Sequence, residues 1–403
     1  MVDSSSRAQR RPKARRRSQD GSAGAEPQGH DRRKAQALHR ALATWFDRAK
    51  RDLPWRKTRD PYAIWLSEVM LQQTRVDTVI PYYERFLAAF PTVDDLAKAP
   101  LDDVLVMWAG LGYYRRARLL HGTANDVADR HGGKFPRDAA SLRELRGVGP
   151  YTAGAVASIA FDEREALVDG NVARVLARLF AIEDDVKSNP GLARIWDLAR
   201  ALVPEGDVPP SVWNQALMEL GATVCTPRDP SCTTCPVRRA CAAYDLGLVQ
   251  LLPKVGTKAK PRPVTMTAFV VRRADAVLLA KRGDEGTFAG MWEPPAVEAD
   301  ADDGVPRLAR ALGLDVRSRG RTEPVDAGTV AHVLSHRKLS VRVFRIDTTS
   351  SRLPALASDL HGRYVELAWS GDDDRSRALT RFARKVLAQA DADADVPARR
   401  NST

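Results

Sequence analysis

The chain has 403 residues, 44% hydrophobic and 28% charged, enough for two or three domains with a sizeable core. It holds no run of about 18 apolar residues, and its basic start lacks an apolar segment, so neither a membrane span nor a secretory signal is expected. The protein is therefore read as intracellular, and its net charge of +12 suits a polyanionic partner.

Residues 1–34 hold ten basic against four acidic side chains. Half of the excess charge thus sits in a polar segment expected to be disordered. Arg15, Arg16 and Arg17 stand in a row there. Such an arm draws nucleic acid by counterion release. It serves equally well to keep a protein soluble or to address it to an organelle. From Gln36 to about Phe180 the pattern is helical, with Leu38, Leu42, Trp45 and Phe46 at helical spacing. Asp60-Pro61 reads as an N-cap followed by proline in the first turn. A helix is expected from near Thr92, with Leu96 inward. Residues 142–161 read as helix, tight turn, helix, the turn being Gly147-Val148-Gly149-Pro150. Val172, Val175, Leu176 and Leu179 mark the next helix. Trp213, Ala216, Leu217, Leu220 and Val224 mark one that runs into the cysteines.

All four cysteines lie between Cys225 and Cys241, as Cys225, Cys232, Cys235 and Cys241. Disulfides would staple distant parts of a secreted fold; four thiols in so short a span read as a metal site. Tetrahedral zinc and a cubane cluster both suit that donor set. Beyond them, residues 251–263 carry three prolines and three lysines and read as a linker. Strand signals follow at 264–271, 276–280 and 339–346, with a helical stretch at 308–314. This part is α+β, and from about Ala388 the chain is again polar.

Gly147 and Gly149 let backbone amides approach a phosphate and open a helix N-terminus that favours anions. Such a hairpin grips DNA backbone without reading sequence. Glu68 shares a helix face with Ile64, Trp65 and Leu71, where a carboxyl resists ionisation and suits general-acid work; the plain alternative is a surface Glu paired with Arg75. Asp169 is a carboxylate for an electron-poor sugar, or it or Asn171 caps the helix at Val172, and both can hold at once.

The segments Leu53–Arg56, Ser67–Thr74, Gly110–Arg118, Gly147–Ala155 and Val168–Val175, with the C-x6-C-x2-C-x5-C loop, resemble the MutY-type adenine DNA glycosylases of the helix-hairpin-helix, endonuclease III superfamily. The likeness runs from about Trp45 to Cys241. It implies a mainly α helix-hairpin-helix glycosylase domain over 35–245, with one 4Fe–4S cluster on the 225–241 loop. A linker at 246–263 then leads to a Nudix-like (MutT-like) domain over 264–387, ahead of a loose tail at 388–403.

By the same resemblance Glu68 protonates adenine at N7, Asp169 supports the oxocarbenium sugar, and Tyr151 stands where lyase members carry a nucleophilic lysine. Simple hydrolysis to an abasic site is implied. Arg51, Trp55, Leu71 and Gln215 would line the adenine pocket. Gln72, Gln73, Tyr113, Gly147, Val148 and Gly149 would meet DNA, Gln73 and Tyr113 as wedges in the duplex. Arg115, Arg116 and Arg118 resemble backbone contacts, and Arg228, Arg238 and Arg239 phosphate contacts.

In the C-terminal half, residues 302–316 lack the clustered glutamates a Nudix hydrolase needs, so no hydrolase activity is expected there. Leu334-Ser335-His336 stands where the family carries a Phe-Ser-His loop, with Ser335 and His336 offering hydrogen bonds to 8-oxoguanine. Arg146 replaces a common proline, and Ala173 stands where some relatives carry lysine. The implied partner is double-stranded DNA with A opposite 8-oxoguanine or G, bound by a monomer in the cytoplasm or on the nucleoid if the source is bacterial. A lyase acting on oxidised pyrimidines and a non-catalytic DNA-binding protein are the competing possibilities.

Overall fold

The computed structural model describes the chain from Gly29 to Ala392, except residues 257–258, 315–322, 351, 355–359, 361–362 and 371–376. The arginine run at 15–17 lies outside the described residues, as do residues 393–403. No described helix is long and apolar enough to cross a membrane.

The N-terminal half is helical and built around two apolar cores. One gathers Trp65, Phe86, Trp108 and Leu142. The other gathers Leu42, Leu176, Trp213 and Leu220. Two helices, Pro61–Leu71 and Pro150–Phe161, form the seam between them. The first gives Trp65, Leu66 and Met70 to one core and Ile64 to the other; the second divides Val156 and Ala157 from Ala155 and Ile159. Helices this apolar on all sides are stable only when covered on both flanks. Asp60 caps the Pro61–Leu71 helix by accepting from Tyr62 N at 3.1 Å, and Pro61 opens it.

The C-terminal half is a mixed sheet with helices against it. Its strands are β1 (Arg262–Arg273), β2 (Ala276–Arg282), β3 (Trp292–Glu293), β4 (Ala296–Val297), β5 (Val325–Val333), β6 (Arg337–Asp347) and β7 (Tyr364–Ser370). The order is β3-β2-β1-β6-β5, with β7 on β2 and β4 on β1. β1 and β6 run parallel and the other pairs antiparallel. The Ala301–Ala311 helix packs Leu308 and Ala309 on one face. The Arg381–Ala392 helix packs Phe382, Val386 and Ala390 on the other.

Several expected boundaries move. The first helix starts at Gly29, inside the segment expected to be disordered. The last helix runs to Ala392 because Ala390 is buried, so the loose tail does not begin at Ala388. The 308–314 stretch is the end of a helix that stops at Ala311. The front of the expected linker is docked, not free: Val186 N donates to Lys254 O, Arg178 Nε donates to Leu252 O, and Lys254 pairs with Glu183. Proline and lysine content suggests a tether; backbone acceptors claimed by Arg178 and Val186 override it.

The two halves touch at a compact joint. Phe288 stacks on Phe382 and meets Tyr114 edge-on. Lys281 pairs with Asp102 at 2.6 Å and Arg118 with Asp284 at 2.8 Å.

Candidate active site

Glu68, Tyr151 and Asp169 converge at the seam. Glu68 is buried, with 5% of its surface exposed. Its partner is the Tyr151 hydroxyl, which donates a short bond to Oε2; Arg75 is not involved. Burial pushes the Glu68 carboxyl up to about 7, and the negative charge of Asp169 adds to the rise. The Tyr151 bond and the field of Arg56 pull the other way. Burial beside two carboxylates holds the Tyr151 hydroxyl well above its ordinary value, so it stays a donor.

Asp169 caps the Gly170–Leu179 helix, accepting from Val172 N at 2.7 Å. The helix thus begins two residues before Val172, and Asp169, not Asn171, is its cap. Asn171 instead donates Nδ2 to the second Asp169 oxygen at 2.9 Å. Burial raises the Asp169 pKa, and these two donors offset part of that rise. Two glycines permit the approach. A Cβ on Gly154 would strike the Ala166 carbonyl, and one on Gly221 would lie 2.6 Å from the Asn171 Cβ.

From Asp169 a chain of bonds leads to the cysteines. Arg174 donates Nη2 to Asn171 Oδ1 at 2.8 Å and Nε to Cys225 O at 2.8 Å. Arg178, fully buried, donates Nη1 to the Cys225 sulfur at 3.4 Å. All four cysteines line one small cavity with Arg178, Arg238 and Tyr244. Burial, then the neighbouring thiols, raise Cys235 to about 11. Among the described residues no three His, Cys, Asp or Glu are placed to hold a single metal ion.

The other expected site residues fall into three groups. Trp55 is buried edge-on to Tyr83, and Leu71 packs against the same core. Gln215 bonds back to Ser211 O within its own helix. Arg51 commits its fork to Glu219, with Nε and Nη2 each at 2.8 Å, and Arg56 adds a third bond at 2.8 Å. Glu219 is fully buried; although burial opposes its ionisation, the two guanidiniums hold it near 2. It is a residue of the candidate site that sequence reasoning missed, since a Glu in the third turn of a helix carries no signal of two distant arginines.

Gln73 is exposed, Tyr113 is 48% exposed, and both have left-handed backbones, with φ of 58° and 51°. Such residues cost about 1–3 kcal/mol each and mark sites where strain is held for use. Gln72 reaches Thr152 Oγ1 at 3.4 Å. In the hairpin, Gly147 has φ +76° and Val148 N closes the turn on Leu145 O, while Gly149 precedes the helix at Pro150. A proline at 146 could not donate as Arg146 N does, to Asp126 at 2.9 Å. Arg116 corrects an expectation. It is buried and spends its guanidinium on internal acceptors, so it meets no phosphate. Ser335 and His336 are exposed in the turn between β5 and β6, and Ser335 Oγ lies 3.3 Å from the Tyr113 hydroxyl. Leu334 packs partly against the core of that domain.

This arrangement can protonate a leaving group from a buried acid and holds a fixed carboxylate near it. A family model described as "HhH-GPD superfamily base excision DNA repair protein" matches residues 66–256, and a NUDIX domain model matches 267–389. Fold and site together define a base excision DNA glycosylase of the helix-hairpin-helix class with a Nudix domain behind it. The chain is 38% identical over 406 residues to the adenine DNA glycosylase of Rattus norvegicus, covering 87% of this chain and 77% of that one. It is 32% identical to the adenine DNA glycosylase of Schizosaccharomyces pombe, covering 75% and 80%. Among solved structures, a thermostable thymine-DNA glycosylase matches with a TM-score of 0.49 and 32% identity, over 54% of this chain and 99% of that one. The chain belongs to the adenine DNA glycosylase family.

Proposed function

We propose that the protein hydrolyses the N-glycosidic bond of adenine opposite 8-oxoguanine, or opposite G, in double-stranded DNA, leaving an abasic site without cutting the strand. The observation that carries this is the buried Glu68 bonded by Tyr151 beside Asp169. Adenine is a poor anionic leaving group and needs a ring proton. A carboxyl held near 7 delivers one at neutral pH, and adenine N7 is the site proposed. Asp169, fixed by two donors, stays available to the positive charge that builds on the sugar. Tyr151 has no amine to form a Schiff base, so no lyase step follows.

The target base must leave the stack. Gln73 and Tyr113 are the wedges, and the Gly147–Gly149 hairpin holds the backbone. Arg51, Trp55, Leu71 and Gln215 shape the pocket wall with Glu219 behind Arg51. Ser335 and His336 read the oxidised base, since the turn that holds them sits against Tyr113. The four cysteines line one cavity whose all-sulfur donor set fits a single 4Fe–4S cluster. When bound, that cluster gives rigidity to a loop with little core of its own; Arg178 and Arg174 tie the loop to the helix behind Asp169. The protein acts as a monomer in the compartment that holds the DNA, the cytoplasm or nucleoid if the source is bacterial.

Single-turnover cleavage of a duplex with one A opposite 8-oxoguanine, read with and without alkali, tests this. Breaks that appear only after alkali are expected. Breaks without alkali, or a covalent product trapped by borohydride, would mean a lyase; bound but uncleaved duplex would leave a binding protein.

A further inference from the structure

Arg116 lies at the start of the Arg115–His131 helix, and its guanidinium is buried. Nη1 donates to Val69 O at 2.8 Å and Met70 O at 2.7 Å, two carbonyls in the last turn of the helix that carries Glu68. Nη2 donates to Thr74 Oγ1 at 3.0 Å and Gly112 O at 3.2 Å. The same group lies over the rings of Trp108 and Tyr113, at 5.3 and 5.5 Å. Gln73 sits between its partners Met70 and Thr74, and Tyr113 directly follows Gly112. These are the two non-glycine residues of the site with left-handed backbones. Backbone in that region persists only where neighbours over-determine it. Here one rigid fork bonds to both loops, and its charge suits the carbonyl end of a helix. A lysine keeps the charge but loses the planar fork, so it cannot hold both arms in one geometry.

We propose that Arg116 is the positioning residue for base extrusion, clamping together the two loops that present Gln73 and Tyr113 to the duplex. The proposal rests on the wedge roles given above to those two residues. Arg116 touches neither the acid nor Asp169, so it acts on the extrusion step and not on bond cleavage.

The test is stopped-flow fluorescence of a mispaired duplex carrying a fluorescent purine beside the target adenine. Arg116→Lys is made in the parental chain and in a Gln73→Ala, Tyr113→Ala background. In the parental chain extrusion should slow about tenfold, and in the other background less than about twofold, because coupled residues are not additive. The pH midpoint of adenine release should not move. Equal slowing in both backgrounds would show that Arg116 supports the fold at large and overturn the clamp; so would an unchanged rate. If the Gln73→Ala, Tyr113→Ala chain itself extrudes at the parental rate, the wedge assignment falls first, and the clamp with it. Thr74→Val removes one of the four bonds and keeps the test open should Arg116→Lys not fold. A slowing of about threefold, as expected for one lost hydrogen bond, supports the clamp, and an unchanged rate overturns it.

Discussion

Glu68 carries opposite consequences for activity and for stability. Its carboxyl titrates near 4.5 in an open chain and near 7 when folded. The folded state therefore binds this proton more tightly. The associated stability is fully present below 4.5 and is lost as pH rises through 7. Glu68→Gln escapes that loss, so its melting temperature should match the parent at pH 4 and exceed it at pH 8. The gain is at most about 3 kcal/mol, measured by thermal unfolding across that range. The same change removes the proton donor, and adenine release should fall about 100-fold or more. In the parent, release should decline as pH rises above about 7 and also fall in acid as Asp169 is protonated, above its ordinary range. A flat pH profile from 5 to 8 would remove Glu68 as the acid.

The glycines of the Pro150–Phe161 helix and the hairpin before it differ in what they tolerate. A Cβ at Gly154 runs into the Ala166 carbonyl, and backbone does not yield cheaply. Gly154→Ala should cost about 1–3 kcal/mol and, by pushing back the loop that leads to Asp169, lower kcat more than KM. At Gly149 a Cβ meets nothing within 4 Å, and φ is −89°. Gly149→Ala should leave stability unchanged while weakening duplex binding, since the methyl would keep a phosphate from the amides. Denaturant unfolding and a binding titration at fixed salt separate the two. Were both substitutions equally destabilising, the close helix-to-loop approach would not be what holds Asp169.

The two domains are joined by Phe288, whose own backbone is left-handed at φ 63°, and by the Lys281–Asp102 and Arg118–Asp284 ion pairs. The joint carries the β5–β6 turn to Tyr113. If that turn reads the opposite base and Tyr113 is a wedge, as proposed above, the two tasks are mechanically linked through this contact. Phe288→Ala loosens that link without touching the acid, Asp169 or Tyr151. Preference for A opposite 8-oxoguanine over A opposite G should drop severalfold, measured as the ratio of single-turnover rates. A ratio equal to the parent's would mean that the turn finds its base independently of the joint.

Local chemistry alone determined much of this protein. Capping marked the helix at Pro61, the Gly-x-Gly turn the hairpin, and spacing the four cysteines, because each depends on residues close in the chain. The apolar neighbours of Glu68 announced a reluctant acid for the same reason. What depends on distant partners was decided by the tertiary structure. Arg116 carries the same charge as exposed Arg115, and only packing separates a buried clamp from a surface contact. Arg51 and Glu219 meet across 168 residues, so nothing near either announces the pair. Pro and Lys after Cys241 suggest a free tether, yet Arg178 and Val186 claim its backbone. Sequence patterns report which surfaces must be covered; long-range hydrogen bonds and charge pairs report what covers them, and those form only when the chain has closed.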